Sequence, residues 1–367
     1  MLTPEVDLND DVRGFIHTWV EKLSEHCTEL HVIALNVRET NLPQNVFLYS
    51  LDYDKKKIKA FLKLNRFFIH IFWSKKIDII FTHMMDTATF AVISYTKLLR
   101  KPIIWWKTHG HVSLKFKILN KMVTKVLTAS DRSFRIKSKK KIVVGHGIDT
   151  EYFRAAESDL CSDINSFNLL SVGRISPSKD YETMIKAINI LVKQNKVPYI
   201  KLKIVGSPFW NTKKDVEYFN KIKSLSEILG LQKYVEFCGD TPYREVVEHY
   251  QNCCLSINAS HTGSVDKAVL EAMACAKPVL TSNEAFYEVL GKYSDKLMFE
   301  TGSEEGLAKK IFTILSMPSH QYKELGSHLR EITVRDHSLD RLMKKITDIF
   351  KETIHSDART ILEALGG

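Results

Sequence analysis

Only six of the 367 residues are cysteine (27, 161, 238, 253, 254 and 275), and no two stand as Cys-x-x-Cys. That removes the redox and zinc patterns built on such pairs. Several lie in apolar runs, so reduced, buried thiols and a cytosolic setting are expected. No run of 18 apolar residues occurs, since the stretch from Phe81 to Leu99 is broken by His83, Asp86 and Lys97. A membrane-spanning helix is therefore not expected, while peripheral contact with a membrane stays open. No secretory leader, internal repeat or low-complexity segment is found. No recognised nucleic-acid motif is found either, so nucleic acid is not an expected partner. His109-Gly-His111 has no Cys or acid at a supporting spacing, so no metal is expected there.

What is present is a globular balance, with 44% apolar and 26% charged residues over a length that favours two domains. The charge is uneven. Residues 1–150 carry 25 Lys and Arg against 14 Asp and Glu, so the whole basic excess of this +10 chain lies in its first half. Such a half suits anionic lipid headgroups or a polyanionic substrate, or is simply a solvated basic face.

Taken in order, Met1-Leu-Thr-Pro reads as the end of a strand. A first strand lacking most of its length is expected, with the natural start a few residues upstream. Phe15, Ile16, Trp19, Val20 and Leu23 recur at helical spacing and predict a helix over 12–26. Strands are predicted at 30–37, 46–51, 78–83, 102–108, 125–129 and 141–144, with helices at 57–73, 87–99 and 113–123. Gly145 to Asp149 is a turn-rich link and 155–166 is polar, which places the domain boundary near 150–165. A second alternation follows, with strands at 168–172, 200–205, 235–238, 253–258 and 279–281. Its helices are predicted at 181–193, 213–229, 242–251, 265–275 and 303–315, before a helical region over 319–365. The fold class is α/β, with mainly parallel sheets covered by helices on both faces. Ligands in such folds bind beyond the C-terminal strand ends, where His83 and His109 fall.

The stretch Ser256 to Phe286 is the most informative. It reads strand, small polar loop, Ala-rich helix, and Lys277-Pro278 ends that helix. Glu271 lies between Val269-Leu270 and Ala272-Met273-Ala274, and a buried carboxylate there needs hydrogen-bond donors. The two hydroxyls of a ribose would serve, and so would a Lys or Arg from a neighbouring element. The loop amides ahead of the helix suit a pyrophosphate. A second loop, 173–180, follows a strand directly. Gly173 allows close approach of a ligand. Arg174 and Lys179, five residues apart, could both reach one anionic group and stabilise a departing nucleoside diphosphate. Exposed cations on a turn are the plain alternative.

Together GHGIDTEYF (145–153), GRISPSKDYETMIKA (173–187) and VDKAVLEAMACAKPVL (265–280) resemble the retaining glycosyltransferases of family 4. The resemblance covers essentially the whole chain and is closest over 145–290. It implies a GT-B fold, in which two Rossmann-like domains face a cleft. The acceptor domain would be 1–155, the nucleotide-sugar domain 156–340, and a last helix over 341–367 would return to the first domain. It also implies that Arg174 and Lys179 bind the diphosphate and that Glu271 holds the ribose. His109 would face the donor sugar. Gly173 and the loop Gly263, Ser264, Val265, Asp266, Lys267 and Ala268 would line the donor site. The family usually has a glutamate eight residues before Glu271. Here that position is Gly263, within a TGS-x-DK pattern that a subset of the family resembles. Asp266 or Lys267 would then meet the sugar, unless Asp266 only caps the helix.

The expected function is transfer of a sugar from a nucleotide-sugar to a glycan or lipid-linked acceptor, with retention and without a metal or other cofactor, in the cytoplasm or at a membrane surface. A sugar-nucleotide epimerase on the same fold and a non-catalytic nucleotide-sugar scaffold are the alternatives.

Overall fold

The computed structural model describes residues 1–10, 13–54, 57–108, 110–156, 167–194, 197, 199–261 and 263–365, with the backbone alone for 357–365. His109, Cys161 and most of the polar stretch 155–166 lie outside the described residues. The chain divides into two units. One is Met1–Gly147 together with the segment from Leu339 on, and the other is Ile148–Ser338.

The first unit holds β1 (Leu2–Val6), β2 (Leu30–Val37), β3 (Val46–Ser50), β4 (Ile80–His83), β5 (Ile103–Trp106), β6 (Lys125–Thr128) and β7 (Lys141–Val143). They form one parallel sheet in the order β3-β2-β1-β4-β5-β6-β7. The first strand, expected as a remnant, is five residues long and central. It pairs with β2 from Leu2↔Ile33 to Val6↔Val37 but with β4 only at Leu2↔Thr82. Pro4 has no N–H to donate, which shortens a ladder where proline is normally avoided.

Its helices are α1 (Phe15–Ser24), α2 (Lys57–Ser74), α3 (Asp86–Leu98), α4 (Leu114–Met122) and the C-terminal helix Leu339–Leu365. Ile16, Trp19, Val20 and Leu23 of α1 pack with Leu342, Met343 and Ile346 of the C-terminal helix on one sheet face. Leu64 and Phe68 of α2, Val92 and Ile93 of α3 and Leu119 of α4 cover the other. Trp105 and Trp106 are neighbours in β5 and enter opposite cores, as the two-residue period of a strand requires.

The second unit holds β8 (Phe167–Val172), β9 (Ile200–Val205), β10 (Val235–Gly239), β11 (Leu255–Asn258) and β12 (Val279–Thr281), parallel in the order β10-β9-β8-β11-β12. Its helices are α5 (Tyr181–Lys193), α6 (Lys213–Ile228), α7 (Val246–Gln251), α8 (Lys267–Ala274), α9 (Phe286–Leu290), α10 (Ser294–Leu297), α11 (Glu304–Leu315) and α12 (Ser319–His337). Strand order reverses between β8 and β11, so the loops leaving these two strands border the topological switch point.

Among the boundaries that differ from the sequence reading, two have a clear cause. The helical region 319–365 breaks at Ser338, which is extended. There the Ile148 N–H donates to the His337 carbonyl at 2.8 Å, and Ile148 bridges Ser338. Helix α8 opens at Lys267 rather than Val265, because Asp266 is extended and caps it. Among the described residues no helix is long and apolar enough to cross a membrane.

Candidate functional site

The site is built at the C-terminal ends of β8 and β11. Gly173 leaves β8 with φ +146°, and its carbonyl accepts from the Tyr181 hydroxyl at 2.8 Å. Gly206, at the end of β9, comes so close that a Cβ there would lie 2.3 Å from the Gly173 carbonyl oxygen. Its φ of +128° is another reason only glycine fits. The loop then makes a short 3₁₀ turn at Pro177–Lys179 and enters α5 through Asp180, which accepts from Thr183 Oγ1 at 2.7 Å. This geometry brings the Lys179 side chain back over Gly173, where a Cβ would stand 3.6 Å from Nζ.

Lys179 Nζ is ion-paired and hydrogen-bonded to Asp266 Oδ2, a contact spanning 87 residues of sequence. Asn258, the last residue of β11, donates from Nδ2 to the same oxygen at 3.0 Å. Asp266 Oδ1 accepts the Ala268 N–H at 3.3 Å, so this amide at the start of α8 is already engaged. Burial pushes the Asp266 carboxyl up, but Lys179, Asn258 and the Ala268 amide outweigh it and hold it below its ordinary 3.8. A depressed carboxyl stabilises the fold above its unfolded value, and that stability is lost as pH falls through the folded value. Asp266→Asn keeps a good cap without the charge. Thermal melts should therefore show a shallower loss of stability below about pH 4 for Asp266→Asn than for the wild type. Parallel acid limbs would contradict this.

Arg174 takes a different partner. Its Nε lies 3.7 Å from Asp215 Oδ2, and its guanidinium sits 4.4 Å from the Phe209 ring centre. The two cations expected to reach one anion thus hold separate carboxylates. Glu271 is 4% exposed. It accepts from the buried Tyr250 hydroxyl at 3.0 Å and from Tyr243. Burial, reinforced by the Glu271 charge, raises both phenols far above their ordinary range, so they stay protonated donors. The cation whose charge acts on it is Lys267, one turn earlier on α8 rather than on a neighbouring element. Burial lowers this ammonium and raises Glu271, and the charge of each opposes the shift of the other.

Within the loop, Val265 is buried, Gly263 and Ser264 are half-buried, and the Ser264 carbonyl accepts from Asn283 Nδ2 at 2.8 Å. His261 Nε2 lies 3.0 Å from Asp180 Oδ2, tying this loop to the start of α5. Sequence reasoning missed Asn258, Asn283 and the two tyrosines. A polar residue closing a buried strand was the available signal for Asn258, and Thr281-Ser282-Asn283, which closes β12, repeats it.

Residues 162–331 match the family model for glycosyl transferases group 1. Sucrose-phosphate synthase from Thermosynechococcus elongatus superposes with a TM-score of 0.77 at 15% identity, covering 97% of this chain and 99% of that one. HepE of Anabaena, solved with UDP, gives 0.74 at 15% identity over 96% and 99%. The fold is GT-B. Among curated proteins, the human GDP-Man:Man(3)GlcNAc(2)-PP-Dol alpha-1,2-mannosyltransferase is 29% identical over 168 residues, 44% of this chain and 34% of that protein. The D-inositol 3-phosphate glycosyltransferase of Frankia alni is 29% identical over 147 residues, 38% and 35% respectively. The chain therefore spans about a third of the length of these curated relatives. Residues 162–331 are thus similar to glycosyl transferases group 1, and these curated relatives are themselves named as glycosyltransferases.

Proposed function

We propose that this GT-B chain is a retaining glycosyltransferase of family 4. It takes a sugar from a nucleotide-sugar and delivers it to a glycan or lipid-linked acceptor in glycan, glycolipid or polysaccharide synthesis. The observation that carries this reading is the Lys179 ammonium held between Gly173 and Asp266 at the switch point, with the buried Glu271 in the helix that follows. Donor phosphates take the place of Asp266 as partners of Lys179, and Arg174 joins them. The diphosphate gains negative charge as its bond to the sugar breaks, so cations fixed beside it favour the transition state over the ground state. These cations supply the charge the leaving group needs, so neither a metal nor another cofactor enters the reading. Glu271 holds the ribose. Asp266, freed from Lys179, faces the sugar in place of the usual glutamate, and the family resemblance assigns the positioning of that sugar to His109, which lies outside the described residues. Attack on the face that the phosphate leaves retains the anomeric configuration, with the phosphate accepting the acceptor's proton. The setting is the cytoplasm or the membrane surface facing it. HepE, whose structures hold UDP and UDP-glucose, supports a nucleotide-sugar donor.

The test is a thermal-shift screen against UDP-, GDP- and ADP-sugars. The matching donor at a hundred times its Kd stabilises the fold by about 2.7 kcal/mol, several degrees for a unit of this size. Product analysis then gives a retained anomer. No shift with any donor contradicts the reading, and an isomer formed without acceptor assigns an epimerase instead.

A further inference from the structure

Helix α2 presents a surface that the fold does not use. Its sequence, KIKAFLKLNRFFIHIFWS, contains four Lys and Arg and no acid. Ala60, Leu64, Phe68 and Ile71 are buried on its inner side. Ile58, Leu62, Ile69 and Trp73 are spaced four, seven and four residues apart, which sets them in one stripe along the helix. Their exposures are 78%, 63%, 46% and 90%. A helix at the surface of a soluble unit normally turns charge to water, whereas α2 is apolar on two sides. The helix is also anchored in its layer, since the Tyr95 hydroxyl of α3 donates to Asn65 Oδ1 at 2.8 Å and Phe68 meets the Tyr95 ring at 5.5 Å. The stripe is therefore held outward on a fixed element.

Charge selects the occupant. Lys59 and Arg66 are exposed, and at 100° per residue they lie on the arc beside the stripe. Lys63 is the cation turned aside, paired with Asp52. A second copy of this face would set cations against cations, which opposes association. A surface of anionic headgroups over an apolar interior matches both halves of the pattern, and a tryptophan at the rim suits the headgroup level. We propose that α2 docks the first unit on anionic lipid, with the stripe entering the acyl boundary and Lys59 and Arg66 meeting lipid phosphates. The inference rests on this helix alone and is independent of the sugar-nucleotide reading.

Flotation of the full chain with vesicles tests it, using phosphatidylcholine alone and phosphatidylcholine mixed with phosphatidylglycerol. The chain should float with the anionic vesicles and on the order of tenfold less with the neutral ones. Leu62→Ser with Trp73→Ser should lower partition on anionic vesicles roughly tenfold or more. Lys59→Gln with Arg66→Gln should lower it by about tenfold and erase the preference for anionic lipid. All four positions are exposed, so melting temperatures should stay at the wild-type value. Absence of flotation with either vesicle overturns the proposal, and so does flotation that both variants retain. Self-association lost in the Leu62/Trp73 variant, without flotation, would assign the face to a second copy. RNA binding indifferent to that variant, again without flotation, would assign the charge to nucleic acid.

Discussion

Lys179→Ala is expected to lower kcat/KM about a thousandfold, the loss that follows removal of a fixed charge aimed at a leaving group. The structure adds a second consequence. Lys179 neutralises Asp266 in the free protein, so the variant strands a largely buried carboxylate whose remaining donors, among the described residues, are Asn258 and the Ala268 amide. Stability should fall together with rate. Lys179→Ala combined with Asp266→Asn removes the stranded charge and should recover the melting temperature without recovering turnover. This cycle separates the two roles, because the pair is coupled in the fold while, of the two, Lys179 is the one that meets the leaving diphosphate. Steady-state kinetics and thermal melts of the four proteins check it. Wild-type turnover in Lys179→Ala would remove this lysine from the chemistry.

Glu271→Ala should have the largest effect on stability and a large one on donor binding. The substitution takes the acceptor from Tyr250, which is fully buried in the second unit, and the counter-charge from Lys267, which is half-buried beside it. Removing one member of a buried charged pair costs about 3–5 kcal/mol, which corresponds to roughly 10 °C in melting temperature for a unit of this size. Donor affinity should fall roughly tenfold or more, the worth of charge-assisted hydrogen bonds to a ribose. Glu271→Ala with Lys267→Met should regain much of the melting temperature and none of the donor affinity. Calorimetric titration and circular-dichroism melts measure both. Unchanged donor affinity in Glu271→Ala would leave this residue as a core acceptor for two tyrosines and nothing more.

Much of the fold was legible because local pattern and tertiary packing agree. Helix α5 and strand β9 fall on the predicted residues, where apolar spacing, the Asp180 cap and the flanking Gly206 all point one way. The break at Ser338 was not legible, since a bridge to Ile148, far away in sequence, interrupts an otherwise continuous helical pattern. Central pairing of β1 was hidden by Pro4, a residue that argues against a strand interior. At the site the candidate cations could be named, but not their partners. Asp215 reads as a helix-opening acid 41 residues after Arg174, and Asp266 as a cap 87 residues after Lys179. Only the strand order brings β8 and β11 side by side. The same holds for Glu271. Its burial was predictable from its apolar neighbours, whereas Tyr243 and Tyr250, which satisfy it, come from the segment ahead of β11.

The most direct test of the central claim is a crystal structure with the nucleoside diphosphate that stabilises the protein most. The account predicts the phosphates within hydrogen-bond reach of Lys179 Nζ, the ribose hydroxyls on Glu271, and Asp266 released from the lysine. A nucleotide bound elsewhere, with the Lys179–Asp266 pair intact, would contradict it.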